Sequence, residues 1–122
     1  MADGNGAPDL GPLQDAVTVA ATARQDEFNL YNAARAAGDV NNLTVRYQAY
    51  QTALQVEQKA NEVLAQNLVN SPQLVTDLQM LDQANASLNA AATTLKNDTT
   101  ALNGFTQAAN AVLTVLGAIA VL

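Results

Sequence analysis

Apolar residues recur three and four positions apart along nearly the whole chain beyond Pro12, and they never alternate for long with a period of two. That spacing draws a stripe along an α-helix and argues against strands. It predicts a first helix from about Leu13 to Ala37, with Val17, Ala20, Ala21, Arg24, Phe28, Tyr31 and Ala34 on the stripe. Gly38 follows as a C′ residue free to take positive φ, and Asp39 offers an N-cap to the next helix. A second helix is predicted from about Val40 to Val69, with Leu43, Tyr47, Tyr50, Leu54, Leu64 and Leu68 on one stripe. Val45, Ala49, Val56, Ala60 and Val63 widen that stripe, which fits contact with more than one neighbouring helix.

Asn70-Ser71-Pro72 is the strongest punctuation in the chain: Ser71 is a good N-cap and Pro72 is pre-set for the first helical position. From there Leu74, Leu81, Leu88, Leu95 and Leu102 recur every seven residues, with Leu78, Asn85, Ala92 and Thr99 between them. This is a coiled-coil-like 3-4 repeat. Short loops favour reading it as the seam of an intramolecular antiparallel bundle over a parallel dimer. Asn85 stands where the seam wants an apolar group, either fixing register or turned toward the rim. Asn103-Gly104 ends or bends the third helix, and a fourth segment runs from Phe105 to Leu122, although the register also allows a helix continuous through Gly104.

The fold class expected is all-α: an antiparallel bundle of three long helices plus a shorter apolar C-terminal helix, resembling a four-helix bundle. Helices two and three, each roughly 45 Å long, form a hairpin across a short turn, with Lys59 near the level of Asp82. Residues 1–11, rich in Gly, Asp and Pro, form a disordered tail; residues 12–122 form one domain.

Composition narrows the chemistry. Of 122 residues none is Cys, His or Trp, so there is no disulfide, no thiolate and no imidazole ligand or base. A di-iron bundle requires Glu-x-x-His pairs and is excluded. Ser71 and Ser87, the only serines, lack a His to activate them. Asp3-Gly4-Asn5-Gly6 starts like a calcium loop but lacks the later ligands. Glu57 falls on the second helix's stripe and is expected to be partly buried, and Tyr31, Tyr47 and Tyr50 to form a small aromatic cluster. The N-x-S/T sequons at Asn42, Asn85 and Asn97 carry no weight in so Asn- and Thr-rich a chain. The expectation is a non-enzymatic protein without catalytic residue, metal or cofactor.

The net charge of −6 argues against nucleic acid, which needs clustered cations; Arg24, Arg35, Arg46, Lys59 and Lys96 are scattered. Charged residues make up only 13%, so the surface is largely Asn, Gln and Thr and tolerates contact with copies of itself. The N-terminus has neither the basic nor the apolar region of a Sec-type leader. A cytoplasmic location, leaderless export, or a leader lying outside this sequence would all fit.

Residues 108–122 are uncharged and mostly apolar. Three readings stand: a core helix, burial in a partner subunit, or membrane insertion, the last weakened by the short span. In composition the chain resembles exported bacterial helical subunits of the secretion-needle and flagellin type, which are also rich in Ala, Asn, Gln and Thr and lack Cys and Trp. The resemblance implies an apolar C-terminus buried in an assembly and assigns no site residues. The function expected is therefore that of a structural or interaction bundle that associates with itself or another helical protein through Leu113, Leu116 and Ile119. The alternatives are a membrane-active bundle and a bundle enclosing an apolar ligand.

Overall fold

The computed structural model describes residues 8–122. The expected disordered tail falls largely on residues 1–7, outside the described residues, as does the calcium-loop-like segment. Four α-helices follow in order: α1 (Gly11–Ala37), α2 (Val40–Leu64), α3 (Pro72–Asn97) and α4 (Leu102–Ala120), with one 3₁₀ turn, Thr99–Ala101, leading into α4. There is no strand among the described residues.

The local signals act where expected. α1 begins at Gly11, two residues before the expected Leu13, where the Asp9 carboxylate, not singled out by the spacing, accepts the Gly11 amide at 2.9 Å. Gly38 takes φ 70°, and its amide and that of Asp39 close onto the carbonyls of Arg35 and Ala34. This is the left-handed termination that favours glycine. Asp39 caps α2 by accepting the Asn42 amide at 3.2 Å, and Ser71 caps α3 by accepting the Leu74 amide at 3.1 Å.

Two helix ends fall elsewhere than expected. α2 stops at Leu64 rather than near Val69. Its chain turns through Gln66, whose amide meets the Val63 carbonyl, and leaves Leu68 packed against the core. α3 ends at Asn97, not at Asn103-Gly104. Asp98 is extended, and its carboxylate accepts both the amide (3.0 Å) and the hydroxyl (2.7 Å) of Thr100, starting a new turn. Capping by Asp98 competes with continuing the helix and wins. Gly104 accordingly lies inside α4, and Leu102 belongs to α4 instead of extending the leucine seam.

The topology corrects a further expectation. α1 packs on α2 and on α3, and α4 packs on α3 and on α2. α2 and α3 are therefore not a hairpin but lie across a diagonal, joined by residues 65–71 over the end of the bundle. Lys59 accordingly pairs with Glu62 on its own helix at 3.5 Å, not with Asp82. α1 and α3 run parallel, since Pro12 meets Asn85 and Asp26 meets Lys96. α1 and α2 run antiparallel, with Phe28 against Tyr50 and Tyr31 against Tyr47.

The core has a division of labour by size. α1 contributes Leu13, Ala16, Ala20 and Ala23; α2 contributes Ala49, Ala53, Val56, Ala60 and Val63. α3 brings Leu74, Leu78, Leu81, Leu88 and Leu95, and α4 brings Phe105, Ala109, Val112, Val115, Leu116 and Ile119. Small residues on α1 and α2 let their backbones approach, and the large side chains opposite fill the space. Each fully buried Leu, Ile or Phe contributes roughly 1.5–3 kcal/mol.

Because α3 ends level with residue 26 of α1, the α1–α2 pair projects beyond the turn at Asp98 as a two-helix arm. Between residues 28 and 45 only Ala34 is buried.

Candidate interaction surface

At the base of the arm sits a buried polar junction. Glu27 and Arg46 are 2% and 5% exposed. One Arg46 nitrogen, Nη1, donates to both Glu27 oxygens at 3.0 and 3.1 Å and to the Leu95 carbonyl at 2.8 Å; Nη2 donates to the Lys96 carbonyl at 3.3 Å. Arg46 thus ties α1 to the last turn of α3, where unsatisfied carbonyls and the helix dipole both favour a cation. Burial raises the Glu27 carboxyl above its ordinary range and outweighs the opposing pull of Arg46. Above this junction Lys96 reaches Asp26 at 3.4 Å. The periodicity did not single out this junction; the predicted stripe of the first helix took Arg24 in place of Glu27. The signal available was spacing: Glu27 is in phase with Ala16, Ala20, Ala23 and Ala34, and Arg46 with Ala49, Ala53 and Val56.

The stripe residues that miss the core gather on the outer face of the α1–α2 pair. Phe28 and Tyr50 lie with ring centroids 5.5 Å apart, Tyr31 and Tyr47 also 5.5 Å, and Tyr47 and Tyr50 6.5 Å. The cluster expected of the three tyrosines therefore forms, joined by Phe28, but on the outside of the helix pair. Phe28 stays 42% and Tyr47 46% exposed. Beside them Tyr31, Leu43, Thr44, Tyr47, Gln48 and Gln51 line an open groove of about 510 Å³, and Gln51 donates to the Tyr47 hydroxyl at 3.0 Å. Lower on the same face Arg24 pairs with Glu57, which is part-buried as expected, so this stretch carries two opposite charges that cancel. The pairing also holds the Arg24 guanidinium above its usual range.

The residues expected to dock a partner, Leu113, Leu116 and Ile119, all lie on α4. Leu116 and Ile119 are fully buried in the chain's own core, and Leu113 is half-buried against it. Within the chain, the apolar stripe of α4 covers the face that α2 and α3 leave open. The three residues are not displayed to a partner while the bundle is closed. Together with the preceding 3₁₀ turn, α4 forms a helical stretch, Thr99–Ala120, of 22 residues, long and apolar enough by composition to cross a membrane.

Asn85 settles between its two readings. It is buried on α3, and its side-chain amide donates to the Pro12 carbonyl at 2.9 Å, fixing the first turn of α1 against α3. Among the described residues no group of three or more carboxylates is gathered to hold a metal ion.

The architecture defines an all-α four-helix bundle with a projecting helical arm. Comparison with protein-family models, with curated proteins and with solved structures finds no match.

Proposed function

We propose that this protein is a non-enzymatic interaction bundle that pairs with a second copy of itself through the outer α1–α2 face. The observation carrying this is the half-exposed aromatic cluster of Phe28, Tyr31, Tyr47 and Tyr50, which neither α3 nor α4 covers. Aromatic rings give roughly 150–250 Å² of contact each and dominate the energetics of interfaces. Charge supports the same occupant. A chain of net charge −6 repels its copies, and here the Arg24–Glu57 pair cancels and the polar lining beside the rings is Thr44, Gln48 and Gln51. In this reading α4 serves as core, and Leu113, Leu116 and Ile119 act in folding rather than in docking.

Sedimentation velocity over a range of protein concentrations tests it. Wild type is expected to shift toward dimer with concentration, and Tyr47→Lys to stay monomeric with an unchanged circular dichroism spectrum. A wild type that remains monomeric at high micromolar concentration overturns the assignment.

A second reading, insertion of the last helix into a membrane, is favoured by the uncharged apolar stretch Thr99–Ala120. It requires α4 to leave the core and expose its stripe to lipid. Failure of the protein to float with phospholipid vesicles at neutral and acid pH removes it.

A further inference from the structure

The helices are not all tied into the bundle by the same forces. Among the described residues, the side-chain ion pairs and hydrogen bonds that join one helix to another run only between α1, α2 and α3. They link Arg24 to Glu57, Arg46 to Glu27 and to the Leu95 and Lys96 carbonyls, Lys96 to Asp26, and Asn85 to the Pro12 carbonyl. α4 carries no charged residue, and its buried residues, Phe105, Ala109, Val112, Val115, Leu116 and Ile119, are all apolar. Its Thr106 and Thr114 hydroxyls bond within the helix. Apolar contact therefore holds α4, which leaves the core without stranding a buried polar side chain.

The connection to α4 is nearly helical already. Between Asn97 and Leu102 the 3₁₀ turn Thr99–Ala101 stays close to helical dihedrals. Asp98 alone is extended, at φ −152° and ψ 106°. The apolar register also runs straight through it. Leu74, Leu81, Leu88, Leu95, Leu102, Ala109 and Leu116 stand seven apart from the start of α3 to the last turns of α4. A helix that restarts after a turn is free to take any phase, so a folded-back hairpin gives no reason for this continuity. One helix from Pro72 to Ala120, about 70 Å long, does: it keeps a single apolar seam throughout.

Such a helix carries α4 away from its own α2 and α3. Two apolar surfaces are then bare: the stripe of α4, and the core faces of α2 and α3 that it covered. A lipid bilayer would hide the first and leave the second. A second copy hides both. Its α4 fits the vacated groove with the contacts of the closed chain, and its own groove takes the first copy's α4 in return.

We propose that the chain has a second, domain-swapped state, in which Asp98 turns helical, α3 and α4 become one helix, and two copies exchange α4. Two devices hold the closed form. Asp98 caps the turn through Thr100. Arg46 occupies the Leu95 and Lys96 carbonyls, which in the continuous helix accept the amides of Thr99 and Thr100. Closing on itself also spares a chain the freedom that association costs. The closed chain is thus the resting form. Exchange needs α4 out of the core, so it is slow and takes place during refolding at high concentration. The swap uses none of the aromatic residues of the outer α1–α2 face and stands independently of pairing through that face.

The test uses the full chain carrying Tyr47→Lys, which removes pairing through the aromatic face, so failure of that reading leaves this one intact. The protein is refolded from urea at high concentration and separated by gel filtration with light scattering. A dimer that persists on dilution is expected. Asp98→Ala deletes the cap and should raise the dimer-to-monomer ratio roughly fivefold per hinge, the loss that a missing N-cap carries. Thr99→Pro should abolish the dimer. Proline holds the preceding Asp98 extended, fits the first position of a helical turn and breaks a helix that runs through it. The pair Ala90→Cys/Asn110→Cys, at exposed positions, carries spin labels that report the hinge. The two sites lie level on neighbouring helices in the closed hairpin, and about 30 Å apart along a continuous helix. In the dimer, with labelled chains diluted into unlabelled ones, the longer separation is expected. Absence of a dimer even with Asp98→Ala overturns the proposal. So does an undiminished dimer with Thr99→Pro, or a dimer that keeps the short separation.

Discussion

Glu27 and Arg46 show what one buried pair demands of its surroundings. Both charges are removed from water, and the cost is met only because Arg46 also satisfies two carbonyls at the end of α3. Removing one partner leaves the other stranded. Arg46→Met is expected to destabilise by about 3–5 kcal/mol, read as a lower urea midpoint at unchanged slope. Glu27→Leu combined with Arg46→Met should recover much of that loss. The pH dependence has a definite sign. Burial raises the Glu27 carboxyl in the folded state, so the native protein holds this proton more tightly than the unfolded chain does. Stability contributed at this site is therefore highest in acid and falls as pH rises from the ordinary glutamate range through the raised native value. Glu27→Gln should abolish that part of the slope, so the stability of wild type minus that of the variant declines across the window. A difference that grows with pH would show that Arg46 outweighs burial. At this scale the sequence was only half legible. The spacing placed Glu27 in phase with buried alanines, but a charged residue at a core position is recognisable only once its partner, nineteen residues away, is seen beside it.

Among the helices, the signals read best were those completed within a few residues. Gly38-Asp39 and Ser71-Pro72 ended and started helices where the spacing predicted, because a cap needs only its own neighbours. The glycines make this testable with one substitution of opposite sign. Gly38→Ala forces a side chain into φ 70° and is expected to destabilise by about 1–2 kcal/mol. Gly104→Ala, in a helix with nothing near the added methyl group, should stabilise by about 0.5–1 kcal/mol. Thermal unfolding of both variants checks the pair, and a loss of stability in the second would mean that α4 does not continue through Gly104. The breaks at Leu64 and Asp98 escaped the periodicity because apolar spacing persists across both. At Asp98 a carboxylate capping two groups of Thr100 overrides it; after Leu64 the chain must turn to cross the bundle end.

For the molecule as a whole, the decisive arrangement is the diagonal of α2 and α3. A helix hairpin was the natural expectation from two long stripes and a short connection, yet each stripe found a better neighbour. The alanine-rich faces of α1 and α2 pack together closely, and the leucines of α3 meet the large residues of α4. Enclosing α4 within the same chain has a measurable consequence. Leu116→Ala should cost about 2–5 kcal/mol, and by the same amount at every protein concentration, since the cavity opens inside one chain. A loss that shrinks as the protein is concentrated would mean that α4 docks in trans. The arm beyond Asp98 is likewise a product of assembly, because it depends on where α3 ends relative to α1 and α2.

The amino-acid sequence alone determined that the chain is helical, where three of the helix boundaries fall, and that the chemistry of Cys and His is absent. Those properties follow from local propensity, capping and composition, which act over a turn or two. Tertiary structure decided which stripe faces which, that Leu116 and Ile119 lie inside while Phe28 and Tyr47 stay out, and that Glu27 meets Arg46. An apolar stripe says only that a helix must bury one side; which neighbour covers it depends on how all four sets of side chains fill one volume together.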